Sequence, residues 1–171
     1  MHAIKRSIVL SFILLFCALT GFPKEGQTPA KEDNLYSVAL FASVSEMEKS
    51  WGHIDDSYLG GIRTDYRHVP VEKDPEITNG LPSQQGDYRV EYLDRREQFD
   101  RLRKLRKGFA VLRIHPMQSD GSLLKILVSV SYLTYEKHRF MYAVSDWSDV
   151  EFRYDCERQK FVVSSVKLGG V

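Results

Sequence analysis

The chain has 171 residues, a formal net charge of +1, 43% apolar and 27% charged residues. That apolar share is ordinary for a globular fold with a real core, and the length suits one domain with a tail. A charge balance this near zero removes the ground for a surface built wholly to hold nucleic acid or an anionic membrane.

Residues 1–20 read as an export signal. Lys5 and Arg6 give a positive start, and residues 8–19 form an apolar stretch too short to span a bilayer comfortably. Ala18-Leu19-Thr20 supplies small residues at the expected cleavage point. Two other readings are an uncleaved membrane anchor and a lipid-modified Cys17; bulky Phe16 stands where the latter needs a small residue. Once cleaved, the chain carries a net charge of −1, has no membrane span and keeps Cys156 as its single thiol, so no intramolecular disulfide forms. Residues 21–33, rich in Lys, Glu, Gly, Gln, Thr and Pro, read as a flexible spacer. The rest, 34–171, reads as a single α+β domain, exported to the outside or the periplasm.

Within that domain, Leu40, Val44, Met47 and Trp51 recur at helical spacing over 34–51. Asp33 or Asn34 can cap the start and Gly52 can stop the end. The short apolar run 35–41 also fits a strand, but the longer period favours the helix.

Residues 52–86 are punctuated by Gly60-Gly61, Pro70, Pro75, Asn79-Gly80 and Pro82. They read as a long irregular loop, a usual place for a site. It holds His53, Asp55, Asp65 and His68. If a hydrolytic or metal-assisted centre exists these four carry it, His as ligand or base and a carboxylate orienting it. No HExxH or HxH spacing supports a metal ligand set, so no metal and no cofactor is assigned. The plain alternative is a set of exposed loop side chains.

Residues 87–93 alternate as a strand. Asp94 with Glu97 forms a capping box that opens a helix running to 107, with Phe99, Leu102 and Leu105 as its buried stripe and Gly108 as its stop. That helix is strongly basic. Arg101, Arg103, Lys104, Arg106 and Lys107 offer an anion-binding face for a polysaccharide, a phosphate-bearing headgroup or an acidic protein. The plain alternative is a solvated helix whose last-turn cations oppose the macrodipole, worth ~0.3–1 kcal/mol each.

Residues 109–115 form a further strand, stopped by Pro116 and followed by a turn at 118–121. Then come four strands, 124–135, 139–144, 150–154 and 161–168, with turns at 136–138, 145–149 and 155–160. Links this short join antiparallel neighbours. Aromatics are dense here, and they either fill a core or line an apolar pocket.

The expected fold is therefore α+β, one or two N-terminal helices packed on an antiparallel sheet that ends in a four-strand C-terminal meander. No nucleophile elbow, CxxC, SxxK or phosphate loop occurs. The leading function is an exported, non-catalytic domain that binds a small ligand or an envelope protein through the 52–86 loop, the basic helix or a pocket beneath them. An exported hydrolase using the His/Asp loop and a structural envelope component are the alternatives.

Overall fold

The computed structural model describes residues 34–51, 65–105, 108–136 and 139–170. The expected leader and spacer, and with them His53, Asp55, Arg106 and Lys107, lie outside the described residues. Among these residues no helix is long and apolar enough to cross a membrane.

Helix α1 spans Leu35–Trp51. It starts where the spacing predicts, because the Asn34 Oδ1 accepts the Tyr36 N–H at 3.0 Å and satisfies a donor with no intrahelical partner. Leu40, Val44 and Met47 are fully buried and Trp51 packs against the same core. Each such side chain stabilises the fold by roughly 1.5–3 kcal/mol when taken out of water.

Eight strands follow among the described residues: β1 His68–Glu72, β2 Gln84–Gln85, β3 Tyr88–Leu93, β4 Phe109–Ile114, β5 Gln118–Asp120, β6 Leu123–Glu136, β7 Arg139–Asp155 and β8 Lys160–Gly170. They form one sheet in the order β2-β3-β1-β4-β6-β7-β8, with β5 pairing onto β6. Helix α2, Arg95–Leu105, connects β3 to β4.

The sheet is mixed, not antiparallel throughout. β1 runs parallel to both β3 and β4. It is a central strand lying inside the stretch expected to be irregular. The misleading signal is Pro70, which lacks the N–H a central strand normally needs. The ladder shows why it is tolerated. Arg89 N–H donates to the Arg67 carbonyl and Lys73 N–H to that of Leu93, so the odd-numbered amides of β1 face β3. The Pro70 nitrogen therefore faces β4, where the two strands pair in register only at Val71 and Leu112. β4 returns parallel to β1 because α2 carries the chain across before it re-enters the sheet, as parallel neighbours require.

The C-terminal meander has three strands, not four. β7 runs unbroken through 145–149, the expected turn. Asp146 pairs with Val130 and Val144 with Ser131, so Ser145 is an extra residue in a β-bulge. The local turn chemistry of Ser and Asp is overridden because β7 is hydrogen-bonded on both sides, to β6 and to β8.

The two helices lie on opposite faces of the sheet. Leu112 and Ile114 of β4 join Leu40, Val44 and Met47 of α1, together with Val128, Val150 and Phe152, in the main core. Phe109 and Val111, the alternate residues of the same strand, join Leu102 of α2, Leu93 and Leu133 in a smaller second core. The main core carries the bulk of the burial; the second face is covered in part.

Candidate functional site

Helix α2 is fixed at its start by the expected capping box. Asp94 Oδ1 accepts the N–H groups of Arg96 and Glu97, both at 2.8 Å, and the Glu97 carboxylate accepts the Asp94 N–H at 2.7 Å. Its buried side is Gln98 and Leu102; Leu105 is exposed and Phe99 half-buried, against the expected stripe. The reason is that the β6–β7 hairpin reaches the start of the helix, so the contact face is turned toward residues 95, 98, 99 and 102. Gln98 is satisfied there, donating to the Leu93 carbonyl at 3.1 Å and accepting from the Tyr142 hydroxyl at 3.2 Å.

An open groove of about 600 Å³ lies beside the contact between the first turns of α2 and the end of that hairpin. Arg95, Phe99, Tyr135, Arg139 and Phe140 line it. Tyr135 and Phe140 are cross-strand partners on β6 and β7. Phe99 meets Tyr135 edge to face at 4.9 Å between ring centres, and Tyr135 meets Phe140 at 5.5 Å. The Arg95 guanidinium lies 5.3 Å from the centre of the Phe140 ring. Among the described residues the lining thus combines three aromatic rings with two guanidiniums and no carboxylate. Such a volume is within the range of small-ligand clefts, and this chemistry suits an anion attached to an apolar body.

Of the expected anion-binding residues, Arg101 is committed elsewhere, bound to the Glu91 carboxylate and stacked over Phe109. Arg103 lies over the Phe99 ring at 5.9 Å, and Lys104 is exposed. Among the described residues, the groove's cations are Arg95 and Arg139. A signal existed for Arg95, since it sits four residues before Phe99 on one helix face. Arg139 comes from a strand that only the fold brings near.

The face of β7 that carries Phe140 continues into a polar network. Arg113 Nε binds the Glu72 carboxylate at 2.5 Å, and its guanidinium covers the Tyr142 ring at 5.3 Å. Burial, then the Glu72 carboxylate, pushes the Tyr142 phenol above its ordinary pKa, so it stays a donor at neutral pH. His115 Nε2 lies 2.9 Å from Ser129 Oγ. Burial first, and the Arg113 charge second, hold this imidazole below its ordinary value of 6.5.

Asp65 and His68 are brought together at the entry to β1, with His68 Nδ1 3.0 Å from Asp65 Oδ2. Both side chains are more than 60% exposed. Asp65 also accepts the Arg67 N–H at 2.9 Å and its carbonyl accepts that of His68, which is turn chemistry. Burial alone raises the Asp65 pKa, but the bonds from His68 and the Arg67 N–H outweigh it and hold the carboxyl low. No group of three or more His, Cys, Asp or Glu among the described residues converges as a metal site would. Cys156 is an exposed thiol in the β7–β8 turn. No protein-family model, curated protein or solved structure matches the chain.

Proposed function

We propose that the protein is an exported, non-catalytic binding domain that takes an anionic ligand with an apolar or ring-bearing body. The groove beside α2 carries this reading: Arg95 lies over the Phe140 ring, and with Arg139, Phe99 and Tyr135 it forms a lining that holds no carboxylate among the described residues. A guanidinium held against a ring face keeps its donors pointing outward, where a carboxylate or phosphate accepts two of them at once. Half-exposed rings lower the cost of taking the ligand's apolar part out of water.

The test uses 1-naphthoate as probe, by titration calorimetry on the full chain. The expected result is saturable binding that weakens as salt rises and is lost in Arg95→Glu/Arg139→Glu. Affinity that survives that double reversal, in a protein with unchanged unfolding, rules the groove out. A second reading, an exported hydrolase, draws on the Asp65–His68 contact; it requires that His68→Ala abolish an ester- or phosphoester-hydrolysing activity while stability stays unchanged.

A further inference from the structure

The groove is one end of a longer feature. Phe140, Tyr142 and Val144 alternate along β7 on the α2 face, and simple alternation would put Asp146 next and send Trp147 into the main core. The bulge at Ser145 resets the phase. Trp147 then joins Phe140, Tyr142 and Val144, while Ser148 turns to the α1 side and bonds Ser43 at 2.5 Å. Counting six rises, the row from Phe140 to Trp147 is about 20 Å long.

The row is exposed. Tyr142 is 40%, Val144 55% and Trp147 38% accessible. Trp147 is also laid flat. Its cross-strand partner on β8 is Gly169, and a Cβ there would collide with the six-membered ring of the indole. The ring lies where a side chain of its neighbour would be. Polar groups border it, with Asp149 two residues on along the same face and Ser129 directly opposite on β6.

Resting on the groove reading above, we infer that the ligand is a linear acidic glycan lying along β7, its carboxylates at Arg95 and Arg139 and its far sugars stacked on Trp147. A sugar chain presents apolar C–H faces ringed by hydroxyls, and a shallow apolar row that ends in a flat indole bordered by polar groups matches that alternation. A single sugar or a free small anion fills only the groove. The row's length is the reach of an oligosaccharide, and Arg95 and Arg139 sit at one end of it.

The experiment titrates the full chain with di-, tetra- and hexagalacturonate, with cellohexaose as the neutral control and 1-naphthoate as the groove control. Intrinsic fluorescence is followed in a Trp51→Phe background, which leaves Trp147 as the one indole. Affinity is expected to rise with acidic chain length, with a change in Trp147 emission from the longer chains and none from 1-naphthoate. Trp147→Ala is expected to weaken hexagalacturonate by about tenfold and leave 1-naphthoate unchanged. Trp147→Phe, which keeps an aromatic face if the alanine variant unfolds, is expected to lie between. Equal affinity for di- and hexagalacturonate, an unchanged hexagalacturonate affinity in either Trp147 variant, or equal binding of cellohexaose overturns the inference. Binding of 1-naphthoate with no acidic oligosaccharide overturns it and leaves the groove reading standing; binding of neither removes both.

Discussion

At the scale of single residues, what a position lacks matters as much as what it carries. Gly108 is buried where β4 begins, and a Cβ there would run into the Tyr132 side chain and lie 2.5 Å from the Leu133 carbonyl oxygen. Backbone does not yield as a flexible side chain does, so Gly108→Ala is expected to cost about 1–3 kcal/mol, read as a lower denaturation midpoint at unchanged slope. His115 makes a prediction of a different kind. Its imidazole faces Ser129, with Arg113 and Glu72 as the charges near it, and the fold favours its neutral form. The unfolded chain takes up the proton at the ordinary value of 6.5, before the folded chain does. The stability this group contributes is therefore complete above pH 6.5 and is lost as pH falls through the lowered folded value. The carboxylates of Glu48, Asp65 and Glu151, all held below their ordinary 4.5 or 3.8, give up their share only in more acid solution. Unfolding measured between pH 7 and 5 is expected to show a decline in stability that His115→Gln flattens. A decline that persists unchanged in that variant assigns it to another group.

At the scale of elements, the sequence was readable wherever one local signal decided the outcome. The capping box of α2 is such a case. Asp94 satisfies two amide donors at once, so Asp94→Ala is expected to cost about 0.5–2 kcal/mol, measured by thermal or chemical unfolding. The apolar spacing of α1, the alternation of β3, the strand β4 ending before Pro116 and the hairpin turn before β8 were legible for the same reason, each being set by neighbours in sequence. β1 was not, because its partners β3 and β4 come later in the chain and its Pro70 signals the opposite. Nor was the middle of β7, where Ser and Asp favour a turn in isolation and two flanking ladders hold the chain extended. The groove was missed on the same account. The basic residues from Arg101 to Lys107 share one stretch of sequence, whereas Arg95 and Arg139 belong to separate elements and converge only through the sheet. Of the expected His/Asp set, Asp65 and His68 do meet, but as part of the turn into β1.

At the scale of the whole molecule, the two faces of the sheet differ in burial, and the proposed binding falls on the less buried one. Its α1 face holds the large core, in which Leu40, Val44, Met47, Ile126 and Phe152 are fully buried. Its α2 face holds the smaller cluster and then the exposed row along β7. Truncating the first face leaves a cavity, and Leu40→Ala is expected to destabilise by about 2–5 kcal/mol. The remaining folded population keeps the groove and the row untouched, so its affinity for 1-naphthoate, measured well below the unfolding midpoint, is expected to be that of the wild type. Val144→Ser has the reverse signature. Val144 is more than half exposed, and an exposed substitution of this kind changes stability by no more than about 0.5 kcal/mol. It nevertheless interrupts the apolar row midway between Tyr142 and Trp147, so it is expected to weaken hexagalacturonate while sparing 1-naphthoate, which needs only the groove. Measuring unfolding and both affinities for the two variants separates the faces in one set of experiments. If Val144→Ser unfolds the protein, the row is covered in solution and part of a core. If Leu40→Ala lowers the affinity of the folded protein, the sheet transmits changes from one face to the other, and binding and stability are not divided between them.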